Sequence, residues 1–204
     1  MNNSEDNVQH YFNKVTETIA NLDKQAVENL LEAFLECYNK ENTIFIFGNG
    51  GSGATASHVA GDFVKGVSYG LDKRFKFICL NDNASALSAI SNDLSYEEVF
   101  VEQLKNFVKK DDLVVGLSGS GNSVNVVKAF EYAKSKNAKT VALCGFSGGK
   151  IKQIADITVH VPIHDMEITE DLHLIIFHAL KHMLTVRLKG ESASMGKQYD
   201  ERIK

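Results

Sequence analysis

Short apolar runs alternate with amphipathic segments along most of the chain. Five mostly apolar runs predict buried strands, at residues 44–47, 75–80, 113–117, 140–144 and 157–161. Between and after them, apolar residues recur at the three- and four-residue spacing of a helix, most clearly over 124–136 and 166–188. Strands of this kind, separated by helices, indicate a parallel sheet that is covered on both faces.

The predicted fold is therefore α/β: a three-layer αβα sandwich around a five-stranded parallel sheet in the flavodoxin-like order 2-1-3-4-5. Two amphipathic segments ahead of the first strand predict an N-terminal helical hairpin over 1–40. The αβα core then covers 43–188 and a polar tail covers 190–204, within a single domain 1–204. The hairpin has more apolar surface than a sheet edge usually needs, so it either contacts another subunit or packs on its own sheet.

One stretch of the chain has a less regular pattern. Residues 84–90 mix small polar and apolar side chains and predict either a short helix or a loop. Ser91-Asn92-Asp93 then predicts the start of a helix that carries the apolar residues between Val99 and Val108.

The first strand runs into a glycine-rich turn, Gly48-Asn49-Gly50-Gly51-Ser52-Gly53, ahead of a segment with helical spacing. Such a turn exposes backbone N–H groups at a helix N-terminus, where the partial positive charge attracts anions. Glycines also let the backbone approach a phosphate closely. The turn is a candidate phosphate-binding loop, although ordinary strand-to-helix turns also contain several glycines.

A second turn of this kind, Ser118-Gly119-Ser120-Gly121-Asn122-Ser123, follows the third strand. Asn122 or Ser123 could serve only to cap the next helix. Capping explains one residue, not three serines interleaved with glycines, and each hydroxyl can donate a hydrogen bond to an anion. No Gly-Lys-Ser/Thr sequence is present, so a nucleotide P-loop is not supported. Strands one and three are neighbours in the predicted order, so we expect both turns to grip one phosphorylated sugar.

Composition limits the classes of partner. The chain has 204 residues, 44% of them hydrophobic and 24% charged, and a net charge of −4. This charge disfavours nucleic acid as a partner, and no apolar run approaches the roughly 20 residues that span a bilayer. The first residues lack the pattern of a signal peptide, and three irregularly spaced cysteines suggest reduced thiols. We expect a cytoplasmic protein with no membrane contact and no nucleotide cofactor.

Two helical segments carry ionisable side chains that could act near the predicted crevice. His58 and Asp62 lie four residues apart after the first turn, so they share a helix face. Glu170 and His178 lie eight residues apart on one stripe of the last helix. Each set also has an ordinary interpretation, as a surface pair or a buried histidine. Together, two imidazoles and two carboxylates could bind a divalent metal such as zinc, or supply the acid and base that move a proton between adjacent sugar carbons.

Three motifs in order carry a family resemblance: GNGGS followed by a helix with His58, then SGSGNS, then EDLHLIIFH in the last helix. Together they resemble the sugar isomerase (SIS) domain. Within it they resemble the bacterial phosphoheptose isomerases, which convert sedoheptulose 7-phosphate to D-glycero-D-manno-heptose 7-phosphate for lipopolysaccharide and other surface polysaccharides. The resemblance extends from the helical hairpin to about residue 188. It implies the SIS fold, a homotetramer with active sites at subunit interfaces, and often one zinc ion per subunit.

The resemblance also implies residue roles. Residues of the two turns would contact the sugar phosphate: Asn49, Gly50, Gly51, Ser52, Ser118, Gly119, Ser120, Asn122 and Ser123. Asp93 matches an acidic residue that faces substrate hydroxyls. The implied metal ligands are His58, Asp62, Glu170 and His178, and Glu170 also matches a substrate-contacting position. Asp62 and His178 are the implied acid and base of an aldose–ketose isomerisation, with the order of the two roles left open.

Three positions depart from the family pattern. Asp62 stands where the family usually has glutamate, so its carboxylate is one methylene shorter. Glu170 stands where glutamine is usual, which adds a negative charge, and Gly119 replaces a threonine. These departures keep open an isomerase for another phosphosugar. They also keep open a rival of another class, a non-catalytic SIS module that binds a phosphosugar or a protein partner as a regulator, like the replication-initiation regulator of this superfamily.

Overall fold

The computed structural model describes residues 7–190, so the polar tail predicted over 190–204 lies outside the described residues apart from Gly190. Five strands form one all-parallel sheet in the order β2-β1-β3-β4-β5. They are β1 (Thr43–Gly48), β2 (Lys76–Cys79), β3 (Leu113–Ser118), β4 (Lys139–Cys144) and β5 (Ile157–His160). The predicted strands and their order are confirmed.

Helices cover both faces of this sheet. Within the described residues the α-helices are α1 (Val8–Ala20), α2 (Lys24–Lys40), α3 (Gly50–Gly61), α4 (Ala84–Asp93), α5 (Val101–Phe107), α6 (Val124–Ser135), α7 (Gly149–Ile154) and α8 (Met166–Lys189). A π-helical segment, Asp62–Val67, continues α3, and a 3-10 turn, Tyr96–Glu98, precedes α5. No helix within residues 7–190 is both long and apolar enough to cross a membrane.

Two apolar cores lie on the two faces of the sheet. Side chains alternate between faces along each strand, so Ile44 and Ile46 of β1 enter one core while Phe45 and Phe47 enter the other. Residues of α2, α3 and α8 close the first core, and residues of α5, α6 and α7 close the second. The helix after the first glycine-rich turn and the last helix are therefore neighbours on the same face.

The two helices of the N-terminal hairpin differ in what they bury. Leu30 and Phe34 of α2 are completely buried against the sheet. On α1, by contrast, Val8, Phe12 and Ile19 leave 70%, 57% and 37% of their surface exposed. Packing on the molecule's own sheet is thus observed for α2, while contact with another subunit stays a prediction for α1.

One predicted boundary is wrong. Ser91-Asn92-Asp93 does not begin a helix, because these residues end α4. The side chain of Asn83 accepts a hydrogen bond from the N–H of Ala86 at 3.0 Å and so caps α4. This helix begins at Ala84, seven residues before Ser91. The next α-helix begins only at Val101, after the 3-10 turn.

Candidate functional site

The turns that follow β1 and β3 meet at the carboxyl edge of the sheet. Gly48 at the end of β1 is in register with Leu117 of β3. A hollow of about 260 Å³ lies between the turns, lined by Asn49, Gly50, Gly51, Ser52, Leu117, Ser118, Gly119, Ser120, Ser123, Met166 and Glu170. Apart from Leu117 and Met166, these are residues that the sequence singled out. Two motifs that are 70 residues apart at Asn49 and Gly119 therefore form one site.

The first turn presents the N-terminus of α3 to this hollow. Gly50 has a φ of 51°, a left-handed conformation that glycine adopts without strain. The N–H groups in the first turn of any α-helix lack a carbonyl partner within the helix. In α3 these groups include the N–H groups of Gly51 and Ser52. Such a helix start is suited to bind an anionic oxygen.

The side chains of the second turn do not cap α6, the helix that follows it. Ser123 occupies the N-cap position of α6 but makes no capping bond, and its hydroxyl oxygen lies 3.1 Å from that of Ser118. The side-chain carbonyl of Asn122 accepts a hydrogen bond from the N–H of Lys150 at 3.0 Å. Ser120 Oγ accepts from the N–H of Asn122 at 3.2 Å, which leaves its O–H able to donate. The capping interpretation is therefore wrong for these two residues.

Glycines let the second turn pack directly on the loop after β4. Gly121 has a φ of 70°, and a Cβ at this position would overlap the carbonyl group of Gly148. Ile151 N–H donates to the carbonyl of Gly121 at 3.0 Å, and Gly145 N–H donates to the carbonyl of Gly119 at 2.8 Å. These backbone contacts fix the shape of the serine-rich turn.

Met166 fills the space beside Gly119. A Cβ at Gly119 would collide with the Met166 sulfur, and Met166, the first residue of α8, also lines the hollow. One wall of the hollow is therefore apolar at the position where the family pattern has a hydroxyl. Sequence reasoning missed Met166 because its contact with residue 119 is long-range and leaves no local pattern.

Asn125 and Tyr96 also escaped the sequence analysis. The side-chain amides of Asn49 and Asn125 bond to each other at 2.9 Å in both directions, and the Tyr96 hydroxyl donates to Asn49 Oδ1 at 2.8 Å. Asn125 is 3% exposed, so its side of the pair is shielded from water. Asn49 was predicted to contact the sugar phosphate, and in this structure its side chain joins the first turn to α6.

A second group of functional side chains lies between α3 and α8. Nε2 of His58 lies 2.9 Å from Nε2 of His178, and Oδ2 of Asp62 lies 3.5 Å and 3.6 Å from these two nitrogens. Within the described residues these three side chains form a group that could hold a metal ion. The rings are about half exposed, whereas the Asp62 side chain is 19% exposed. The predicted His58, Asp62 and His178 are thus brought together.

The π-helical segment begins at Asp62 itself. A π-helical turn is wider than an α-helical one and is often found at functional sites. Asp62 turns its Oδ1 atom toward Lys181 of α8, whose Nζ lies 2.5 Å away. Lys181 was not predicted from the sequence, since a lysine in a mostly apolar helix is usually read as a surface residue.

The spacing of the three side chains suits a divalent cation. Zinc binds imidazole nitrogen and carboxylate oxygen at about 2.0–2.2 Å, so two ligands in a tetrahedral arrangement lie about 3.3 Å apart. The observed separations of 2.9, 3.5 and 3.6 Å bracket that value. Two imidazole nitrogens that face each other can also both use their lone pairs if a cation lies between them. The residues present therefore fit a metal of this kind.

Glu170 and Asp93 lie outside this group. Glu170 lies two turns before His178 on α8, and its carboxylate occupies the space where a side chain at Gly51 would lie. It lines the hollow between the turns instead. Asp93 ends α4, is exposed, and borders a separate surface hollow with Ser88 and Asn92. The structure thus places Glu170 beside the predicted phosphate cradle and Asp93 elsewhere.

A larger hollow, of about 360 Å³, lies at the opposite, amino-terminal edge of the sheet. Four of its charged side chains form two pairs: Lys139 lies 3.6 Å from Glu36, and Lys134 lies 2.8 Å from Asp156. Ligands of open parallel sheets bind at the carboxyl edge. The hollow between the two turns is therefore the better candidate despite its smaller volume.

Comparison with known proteins agrees with this geometry. Residues 10–145 match the SIS domain family. The chain belongs to that family. Phosphoheptose isomerase from Helicobacter pylori strain P12 is 38% identical over 168 residues, which cover 82% of this chain and 84% of that relative. Phosphoheptose isomerase from Clostridium acetobutylicum is 33% identical over 168 residues, which cover 82% of this chain and 85% of the relative.

A solved SIS structure extends the likeness to three dimensions. Phosphoheptose isomerase GmhA from Neisseria gonorrhoeae superposes with a TM-score of 0.80 at 28% identity, covering 87% of this chain and 96% of that one. The resemblance stated from the three motifs is confirmed, and so is the SIS fold.

Proposed function

We propose that this protein is an aldose–ketose isomerase of a phosphorylated sugar, with sedoheptulose 7-phosphate and D-glycero-D-manno-heptose 7-phosphate as its substrate pair. The observation that carries the proposal is the convergence of His58, Asp62 and His178 on one point between α3 and α8. The N-terminal ends of the same two helices border the hollow between the glycine-rich and serine-rich turns. The relatives named phosphoheptose isomerase support this activity.

The spacing along these helices supports a long sugar. Gly51 adjoins Glu170, and His58 adjoins His178, so α3 and α8 run in the same direction. Eight residues from Glu170 to His178 correspond to about 12 Å of helix at 1.5 Å per residue. The six C–C bonds of an extended heptose span roughly 7–8 Å at about 1.2 Å per bond, as in an extended polypeptide. The rest of the 12 Å is covered by the phosphate group and by the side chains that extend toward the sugar.

The phosphate and the sugar hydroxyls have separate partners in this arrangement. The N–H groups at the start of α3 and the hydroxyls of Ser118, Ser120 and Ser123 would donate to phosphate oxygens. The carboxylate of Glu170 would repel the phosphate but can accept hydrogen bonds from hydroxyls of the sugar chain. Asp93 would also accept hydrogen bonds from hydroxyls of the sugar. Because it borders a separate hollow in this structure, α4 would have to move for this contact to form.

The reaction proceeds through a cis-enediol. A base removes a proton from C1 of the ketose while an acid protonates the oxygen on C2, and then the proton is returned to C2 as the O1 proton leaves. Asp62 and His178 share these roles, because their side chains reach one point. General acid and base catalysis of this kind contributes about 10²–10⁴-fold.

A divalent metal, with zinc as the first candidate, would be held by His58, Asp62 and His178. Glu170 stays the predicted fourth ligand, and its carboxylate lies beside Gly51 in this structure. When bound, such an ion would polarise the carbonyl and hydroxyl oxygens of the sugar. Asp62 also provides the negative charge that balances part of the charge of the cation.

The rival function, a non-catalytic regulator that binds a phosphosugar, requires the hollow but not the cluster. A binding module has no need for two imidazoles and a carboxylate at a shared point about 12 Å from the phosphate along the helices. The cluster therefore favours the enzyme.

We further propose a cytoplasmic homotetramer that provides heptose for surface polysaccharides. The exposed apolar residues Val8, Phe12 and Ile19 of α1 form a surface that suits contact between subunits. Cys37, Cys79 and Cys144 are all free and buried, which suits a reducing compartment. Size-exclusion chromatography with light scattering tests the tetramer, and a monomer at micromolar concentration would contradict it.

The function is tested by solvent deuterium exchange and turnover with sedoheptulose 7-phosphate. Asp62→Asn and His178→Ala should each lower kcat by at least about 100-fold while the far-UV spectrum and assembly state stay unchanged. His182→Ala is the matched control, since this exposed histidine lies one turn further along α8 and outside the cluster. Full turnover in either cluster variant would remove that residue from the chemistry, and no exchange in the parent protein would favour the regulator.

A further inference from the structure

Asp62 divides its two carboxylate oxygens between two partners. Oδ1 lies 2.5 Å from Nζ of Lys181, whereas Oδ2 faces Nε2 of His58 at 3.5 Å and Nε2 of His178 at 3.6 Å. The side chains of Asp62 and Lys181 are 19% and 22% exposed, so the ion pair is largely shielded from solvent. A shielded pair of opposite charges with a short N···O distance restricts the rotation of the carboxylate.

The backbone around this pair leaves room for the lysine. Lys181 follows His178 by three residues on α8, so both side chains lie on the same side of the helix. A Cβ added at Gly66, within the π-helical segment, would lie 3.0 Å from Cε of Lys181 and 3.3 Å from Nζ. The absence of a side chain at Gly66 therefore leaves room for the end of the Lys181 side chain beside Asp62.

We propose that Lys181 is a positioning residue that holds Oδ1 of Asp62, so that Oδ2 is aimed at the point where the imidazoles of His58 and His178 meet. The inference rests on the proposed function for its effect on turnover, but not for its effect on cation binding. In this role Lys181 would make no contact of its own with the substrate or the ion. It acts only through Asp62.

The physical argument concerns the freedom of a short side chain. The χ2 torsion of aspartate is broad and has no strongly preferred value. Without a partner on Oδ1, the carboxylate of Asp62 can rotate or turn toward water, and each such conformation takes Oδ2 away from the imidazoles. A partner that orients a ligand in this way typically changes metal affinity or activity by about 10–100-fold.

Lys181→Met tests the proposal, since it keeps the length of the side chain and removes the charge. The affinity of the purified protein for Zn²⁺, measured by competition with a chromophoric chelator, should fall by about 10–100-fold. Lys189→Met is the matched control: Lys189 lies two turns further along α8 and donates to the carbonyl of Gly66 at 3.2 Å, not to Asp62. Its Zn²⁺ affinity should stay within about twofold of the parent. If Lys181→Met and Lys189→Met change the affinity equally, the proposal is overturned.

A double-mutant cycle separates positioning from a general structural effect. In an Asp62→Asn background, Lys181→Met should have little further effect on Zn²⁺ affinity, because the group that Lys181 orients has already been changed. An undiminished effect in that background would overturn the proposal. If Lys181→Met does not fold, as judged by its thermal transition, Lys181→Gln replaces it in both arms of the cycle.

The cycle also distinguishes this inference from the proposed function. If the parent protein binds Zn²⁺ and shows the coupling but catalyses no isomerisation, the proposed function fails while the role of Lys181 stands. If the parent isomerises and Lys181→Met keeps both its Zn²⁺ affinity and its kcat, the positioning role fails alone. In an active parent, the variant should lower kcat more than it raises KM, because Lys181 lies at the cluster and not at the phosphate.

Discussion

Asn49 and Asn125 bond to each other through both atoms of their side-chain amides, at 2.9 Å in each direction. The pair connects the turn after β1 to the helix after β3. It therefore fixes the distance between the two turns that would share one phosphate. Because Asn125 is buried, its side-chain amide is costly to leave without a hydrogen-bond partner.

Replacement of Asn125 should loosen this connection. Asn125→Ala removes both bonds to Asn49 from a residue that is 3% exposed, so we expect the free energy of unfolding to fall by about 1–3 kcal/mol. We also expect a higher KM for the phosphorylated substrate, because Asn49 loses its fixed orientation. Urea unfolding and steady-state kinetics measure the two effects.

Tyr96→Phe is the graded control for that experiment. It removes only the hydroxyl that donates to Asn49 Oδ1 at 2.8 Å, from a residue that is 54% exposed. The loss of stability should be smaller, about 0.5–1.5 kcal/mol at most. An equal or larger loss than in Asn125→Ala would show that the amide pair is not the main connection.

Ser120→Ala should weaken phosphate binding. Its Oγ accepts from the backbone N–H of Asn122, so its O–H is not used in that bond and would be the group that donates to the phosphate. Loss of one hydrogen bond to a charged group costs about 1.5–3 kcal/mol, which corresponds to roughly a 10- to 100-fold rise in KM. Ser147→Ala, in the exposed loop after β4, should leave KM unchanged. Equal KM values in the two variants would mean that the phosphate binds elsewhere.

Gly121→Ala should disrupt the serine-rich turn. The residue combines a φ of 70° with a backbone contact to Gly148 that leaves no room for a methyl group. We expect a loss of stability larger than 1 kcal/mol, in the range of about 1–3 kcal/mol for a strained residue, together with loss of phosphate-dependent protection in thermal unfolding.

Gly61→Ala provides the opposite case on a neighbouring element. Gly61 is helical, with a φ of −59°, and a Cβ there would meet no atom of residues 7–190 within 4 Å. Its replacement should be neutral or stabilise the fold by about 0.4–1 kcal/mol. If both glycine variants unfold alike, the argument from close packing at Gly121 is wrong.

His173 should make the stability depend on pH. It is completely buried on α8, and among the described residues neither ring nitrogen has a hydrogen-bond partner of normal geometry. Burial lowers the pKa of His173 to about 4, an effect that the backbone at Cys144 partly opposes. In the unfolded chain His173 binds a proton near pH 6.5, whereas in the folded chain it stays neutral until the pH is near 4. The free energy of unfolding therefore has its full value, as far as His173 is concerned, above pH 6.5. It decreases as the pH falls towards 4, by up to about 3 kcal/mol.

His173→Leu isolates this effect. Urea unfolding of both proteins between pH 4 and 7 should give a difference in stability that grows in favour of the variant as the pH falls. A difference that stays constant across this range would show that His173 does not titrate on unfolding.

Much of the fold was predictable because the strands are nearly all apolar and the helices are periodic. The order of the strands and the meeting of the two turns follow from rules for parallel sheets. The boundary at Ser91-Asn92-Asp93 was wrong because Asn and Asp can end a helix as well as start one. The cap that decides the matter is Asn83, a single side chain within an otherwise uninformative segment.

The candidate site was predictable only where it is carried by local motifs. His58 and Asp62 share a helix face, and both glycine-rich turns are continuous in sequence. Lys181, Met166 and Asn125 were missed because their roles depend on contacts across more than 45 residues with Asp62, Gly119 and Asn49, respectively. Such pairings are set by how α8 and α6 pack, which no periodicity encodes.

Under the proposed function, the parallel course of α3 and α8 would set the distance from the phosphate to the cluster in whole turns of helix. Equivalent positions on a helix recur only once per turn, about 5.4 Å apart, whereas sugars that differ by one carbon differ by roughly 1.2 Å in extent. Moving both histidines by one helical turn would therefore change their distance from the phosphate by more than the difference in length between a heptose and a hexose or an octose. If the proposed function holds, relatives of this protein that accept shorter or longer sugars are expected to differ in the two glycine- and serine-rich turns and to keep the spacing between Glu170 and His178.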